Sequence, residues 1–141
     1  MGVRTQTVEQ LASGYPGLRA VALNRALAEP VLAVAASVAG IVGGGSTAPC
    51  TYELIVDTSD LRAAIPTVWI TSPADAGIKH VNIWSAKKSF CVWTGTNLPS
   101  FCWFQYAERW TAAPPAARTL GAVLEYTRQF LNVENHDSPA R

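Results

Sequence analysis

The sequence predicts one α+β domain over residues 1–141, an antiparallel sheet flanked by helices, and three observations predict it. Leu120, Val123, Leu124, Phe130 and Leu131 recur at helical period, with Thr127 between them, which places a helix over residues 119–131. Short runs at 52–57 and 67–71 lie between turn residues, with connections too short for the crossover that parallel neighbours need, so the strands read as an antiparallel meander. The chain has 141 residues, 49% hydrophobic and 15% charged, enough for a single buried core and no second domain.

In chain order, Val8, Leu11 and Ala12 fall at helical spacing over residues 5–12, and the turn residues Ser13, Gly14, Tyr15, Pro16 and Gly17 stop that helix. Residues 18–28 fit either a helix (Leu18, Val21, Ala22, Arg25) or a strand beginning at Val21 and Leu23. The apolar run 31–42 mixes strand-favouring valine with helix-favouring alanine, and periodicity does not decide it. Gly43, Gly44 and Gly45 begin a flexible loop to Pro49, with the triplet itself suited to a hairpin turn. Between Trp84 and Trp110 lie eight of the chain's 13 aromatics, a density that calls for core packing rather than a linker; exposure around Trp93, Phe101 and Trp103 would instead mark a protein interface. The segment 132–139 is polar and turn-rich.

Composition narrows the function. Eleven basic and ten acidic residues give a formal charge of +1 without a run of either sign, so no footprint for nucleic acid or an anionic membrane is present. The longest apolar run is broken by glycines and shorter than the ~20 residues of a membrane span, and the N-terminus does not read as a signal peptide. Three irregularly spaced cysteines, Cys50, Cys91 and Cys102, do not make a disulfide framework and point to a reducing, cytoplasmic setting. Abundant arginine and alanine with scarce lysine suggest a GC-rich bacterial source. Neither Cys-x-x-Cys nor His-x-x-x-His occurs, the glycine triplet lacks the lysine of a phosphate loop, and no Gly-x-Ser-x-Gly elbow is found; the chain implies no metal and no cofactor.

His80-Val81-Asn82-Ile83, followed by Phe90-Cys91, then Trp110, a helix opening at Thr119-Leu120, and Asn135-His136-Asp137-Ser138-Pro139, preceded by the strand Pro66-Thr67-Val68-Trp69-Ile70, form an ordered set. The set resembles the ubiquitin-conjugating enzymes, in which a His-Pro-Asn tripeptide leads to a nucleophilic cysteine. Residues 52–141 carry the resemblance. Val81 stands where that family has proline, the stretch from Cys91 to Trp110 is longer than usual, and the C-terminal helix pair of many eukaryotic members is absent. In this the chain looks more like bacterial relatives found in antiphage defence operons.

The resemblance implies a ubiquitin-conjugating-enzyme-like fold and a thioester-forming transferase. Its partners would be an activating enzyme, a ubiquitin-like protein and a target protein bearing an amine. Cys91 is the expected nucleophile, with Lys87 and Lys88 close enough in sequence to favour its thiolate; a thiolate needs no adjacent base to attack an acyl group. Cys102 competes, because its step to Trp110 matches the family spacing, although Asn82 is then 20 positions away. Cys50 has no candidate role. By the same resemblance Asn82 stabilises the oxyanion or braces the loop, His80 is a structural hydrogen-bonding residue, and Asp137 orients and deprotonates the incoming lysine, with His136 beside it. Two other classes compete: an adaptor that keeps the fold and binds a ubiquitin-like protein without carrying it, and a thiol redox protein pairing Cys91 with Cys102, if the sulfurs lie within disulfide reach.

Overall fold

The computed structural model describes residues 2–23 and 29–140. Its elements run α1 (Thr5–Leu11), β1 (Arg19–Leu23), β2 (Val31–Gly43), β3 (Ser46–Asp57), β4 (Val68–Ser72), β5 (Ile83–Cys91), β6 (Thr96–Phe101), α2 (Gln105–Ala112) and α3 (Leu120–Asn132). The six strands form one antiparallel sheet in the order β1-β2-β3-β4-β6-β5, so the expected α+β class and meander hold for the first four strands. The β5–β6 hairpin then joins through its second strand, pairing Trp69 with Ser100.

The stretch left open at 18–28 contains strand β1; residues 24–28 lie outside the described residues. The undecided run at 31–42 is strand, because its partner fixes it: β2 and β3 stay in register from Ala33 opposite Asp57 to Ile41 opposite Pro49. The expected loop over 43–49 shrinks accordingly. Gly44 and Gly45, both at positive φ, make a two-residue turn of the sense that suits a twisted hairpin, and Ser46 already begins β3. Helix α3 forms where its periodicity predicts, with Thr119 Oγ1 accepting from the Ala122 N–H at its N-terminus.

Both faces of the sheet are covered. On the near face Val34, Ala36 and Val38 of β2, Tyr52, Leu54 and Val56 of β3, and Val68 and Ile70 of β4 pack with Val123, Leu124, Phe130 and Leu131 of α3. Gly40 lets the helix close on the sheet, since a Cβ there would stand 2.7 Å from Leu131 Cβ. On the far face Ala33, Ile55 and Trp69 pack with Cys91, Trp93 and Leu98, so the β5–β6 hairpin curls its tip over the back of the meander. Alternation along a strand sends neighbours to opposite faces, so β2 turns Val34, Ala36 and Val38 to the near side and Ala33 to the far one. Phe101, Trp103 and Trp110 are buried, as core packing requires; the exposed large apolar side chains of this region are Phe90, Val92 and Phe104.

Candidate functional site

The end of α3 meets the segment between β4 and β5, and there the predicted residues converge. An α-helix leaves its last carbonyls without partners. Here the His-x-Asn segment supplies them: His80 Nε2–H donates to the Leu131 carbonyl (3.1 Å), and Asn82 Nδ2 donates to Phe130 (2.9 Å) and Val133 (2.8 Å). Asn82 Oδ1 accepts from the Asn135 N–H (2.8 Å), and the Asn82 N–H donates to His80 Nδ1 (3.3 Å). Both side chains are 2% exposed. The two ring nitrogens thus have fixed, opposite roles, donor and acceptor, which is the pattern of a neutral imidazole. Burial pushes the His80 pKa down, partly opposed by the Leu131 carbonyl and the Glu134 carboxylate.

Glu134 is the residue that sequence reasoning missed. Its carboxylate accepts from the N–H groups of Gly44 (2.8 Å), Gly45 (3.2 Å) and Val81 (3.0 Å), tying the β2–β3 turn to the His-x-Asn segment. Burial alone would raise its pKa, but the three backbone donors outweigh that and the nearby His80 adds to them, holding the carboxyl below its ordinary range. Gly43 makes the approach possible: at φ +82, with an added Cβ 2.6 Å from His80 Cα, no other residue fits. The visible signal was the glycine triplet, but nothing in the sequence says what the turn would meet.

Stacked aromatics hold this corner from the inside. Phe130 lies parallel to Phe101 (4.1 Å between centroids) and to His80 (6.1 Å), and edge-on to Trp103 (5.2 Å). Trp103 Nε1 donates to the Pro66 carbonyl and Trp110 Nε1 to the Leu61 carbonyl, so α2 is anchored at both ends.

The three cysteines are free and occupy different environments. Cys91, the expected nucleophile, is fully buried on the far face beside Ala33, Ile55 and Trp69. That placement corrects the expectation: a thiol under the hairpin tip offers no surface to a protein-borne acyl group. The lysines expected to assist it are engaged elsewhere, Lys88 with Asp75 (2.6 Å) and Lys87 over the Trp84 ring (5.6 Å). Cys102 is half-buried, and its N–H donates to the Asn82 carbonyl (2.9 Å), extending the pairing of Ile83 with Phe101 by one step. The 19 residues between Asn82 and Cys102 in sequence are the β5–β6 hairpin, both strands and their turn, which returns the chain to its starting point. Cys91 sits opposite Thr96 at the other end of that hairpin, about 20 Å from Cys102 at strand rise, so the two sulfurs are outside disulfide reach. Cys50 is half-buried on β3.

Asn82 therefore holds Cys102 by its carbonyl and Asn135 by its side chain. Asp137, exposed, follows two residues on, its N–H bonded to Asn135 Oδ1 (3.0 Å), with exposed His136 between them. Ser138 is 5% exposed and its N–H donates to the Asn135 carbonyl, so the polar segment is a folded turn rather than a solvated tail. Among the described residues no three metal-binding side chains gather, and no helix is long and apolar enough to cross a membrane.

No family model matches this chain, and no curated protein or solved structure matches it. What stands is an α+β chain with a six-stranded antiparallel sheet and a half-buried cysteine, Cys102, whose backbone adjoins the polar clasp at the end of α3.

Proposed function

We propose that the chain is a ubiquitin-conjugating-type acyl carrier that works in the cytoplasm through Cys102: it accepts a ubiquitin-like protein from an activating enzyme as a thioester and passes it to an amine on a target protein. A setting in bacterial antiphage defence belongs to the same reading. The observation that carries it is the convergence of Cys102, the His80–Asn82 segment and the 135–138 turn at one corner, reached in the order that the resemblance implies. Transfer to Cys102 breaks the thioester to the activating enzyme, forms one to Cys102 Sγ and returns a thiol. Attack by the target amine then forms an amide, releases the Cys102 thiolate and sheds a proton. In this reading Asp137, exposed on that turn, takes the proton.

One observation favours a second reading, the non-catalytic adaptor. The Asn82 amide is spent on the carbonyls of Phe130 in α3 and of Val133 just past its end, so it braces the corner and is not free to donate to an oxyanion. An adaptor would bind the ubiquitin-like protein and form no adduct. Incubation with an activating enzyme, its ubiquitin-like protein and ATP separates the two. The carrier reading expects a reductant-sensitive adduct, abolished by Cys102→Ala and kept by Cys91→Ala; binding without any adduct would leave the adaptor standing.

A further inference from the structure

A cleft of about 870 Å³ opens at the N-terminal end of α3, between the N-terminal segment, the 29–30 segment, the 60–62 turn and residues 118–120. It is of the size that holds small organic ligands, ~300–1,000 Å³. Helix α3 has 13 residues, so at ~1.5 Å rise the cleft lies about 20 Å from the His80–Asn82 corner, at the opposite end of the helix, and shares no residue with it. Its walls are held by hydrogen bonds within the chain. Val3 and Val31 exchange backbone bonds (3.0 and 2.7 Å), Glu29 Oε1 accepts from the Thr5 N–H (2.9 Å), and the Leu61 carbonyl accepts from Trp110 Nε1 (2.9 Å). A cleft built this way is formed before a ligand arrives, which lowers the cost of binding.

The charge of the lining is unbalanced. Arg4, Arg62 and Arg118 line the cleft, and among the described residues none of the three makes an ion pair; the pairs that form, Lys88 with Asp75 and Arg128 with Glu125, are elsewhere. Arg118 is half-buried and donates only to neutral groups, the carbonyls of Arg62, Thr111 and Ala113. Those bonds satisfy its N–H groups and leave its charge uncompensated. Two carboxylates, Glu29 and Asp60, share the lining, so three guanidiniums against two carboxylates leave +1. The end of α3, where Thr119 and Leu120 line the cleft, adds roughly +0.5. A phosphate monoester, at about −1.5 to −2 near neutral pH, matches that sum better than a single carboxylate does, and its oxygens suit both guanidinium forks and helix N–H groups. Val3, Pro30, Leu61 and Leu120 supply apolar surface beside these charges.

We infer that this cleft is a binding site for a small phosphate monoester with an apolar body, the phosphate held by the arginines and the first turn of α3, the body lying on Leu61 and Leu120. The site is independent of acyl transfer at the other end of α3. Isothermal titration of the full chain with phenyl phosphate tests it, beside inorganic phosphate, phenylacetate and benzyl alcohol. Phenyl phosphate should bind one to one, about tenfold tighter than phenylacetate, which lacks the second charge, and than inorganic phosphate, which lacks the body; benzyl alcohol should give no heat. Arg4→Gln and Arg62→Gln, both at exposed positions, should each weaken phenyl phosphate about tenfold. Asp60→Asn should tighten it several-fold, a gain that no loss of folding imitates. Arg109→Gln, which removes an exposed arginine outside the cleft, should leave it unchanged. No saturable heat with phenyl phosphate at millimolar concentration, equal affinity for phenylacetate, or an affinity untouched by the Arg4 and Arg62 variants would each overturn the assignment. So would weaker binding by Asp60→Asn, or an Arg109→Gln effect as large as that of Arg62→Gln, which would mark attraction to surface charge in general.

Discussion

The two ends of the β5–β6 hairpin solve the burial of polar groups in opposite ways. At its base, beside α3, Asn82 and His80 are buried and every side-chain polar atom of the pair has a partner, most of them backbone groups at or just past the helix end. At its tip, over the far face, Trp69 and Trp93 bury indole N–H groups that find none. An unmet buried donor costs ~1–3 kcal/mol, whereas a closed network loses that much when any member is removed. The base is therefore the rigid end, and it is the end at which half-buried Cys102 lies.

Asn82→Ala should break this comparison most sharply. The carbonyls of Phe130 and Val133 and the Asn135 N–H lose their partner at once around a side chain that is 2% exposed, and we expect a loss of ~3–4 kcal/mol in urea-denaturation stability. A loss under ~1 kcal/mol would mean that the corner holds without it, and the contrast with the tip would disappear.

The same contrast explains what the sequence could and could not reveal. Helix α3 was legible because its face is one-sided, and Thr119 marks its start. Strand β2 was not, because the hairpin tip covers the far face, so Ala33 and Ala35 are buried as well as Val34 and Val38 and no alternation survives. The cysteine that adjoins Asn82 was misjudged for a related reason. Counting residues from Asn82 favours Cys91, but a hairpin cancels its own length, and Cys102 is the cysteine that returns to Asn82. Glu134 left no trace, since its role exists only once the Gly44–Gly45 turn and Val81 meet in space.

Glu134→Gln tests the clasp from its outer side, with a smaller effect. Glutamine keeps one acceptor oxygen but loses the charge and the second acceptor, so we expect ~1 kcal/mol lost at neutral pH from three charge-assisted bonds in a half-exposed site. The pH dependence fixes its origin. Glu134 is held below its ordinary pKa of 4.5, so its contribution is complete above that value and is lost as pH falls through it into the folded-state range. His80, held below 6.5, acts in the same direction from a higher pH: as pH drops past 6.5 the unfolded chain takes up a proton that the buried ring resists, and stability falls. The wild type should thus weaken in two stages on acidification. The Gln variant should retain the stage near 6.5 and lose most of the one below 4.5; an unchanged lower stage would assign it to another carboxylate.

Trp69→Phe is the smallest expected effect and the one that reads the hairpin tip directly. Trp69 is 4% exposed, and trimming a buried aromatic ordinarily costs stability through lost contacts and the space left behind. Here the same change removes an indole N–H that is buried without a partner, a gain of similar size and opposite sign. The two should cancel to within ~1 kcal/mol, so that a core tryptophan on the far face proves nearly dispensable while a core asparagine on the near face does not. A loss above ~2.5 kcal/mol would show that the indole is satisfied in solution, by an ordered water or by a shift of the tip, and the far face would then be closed like the near one.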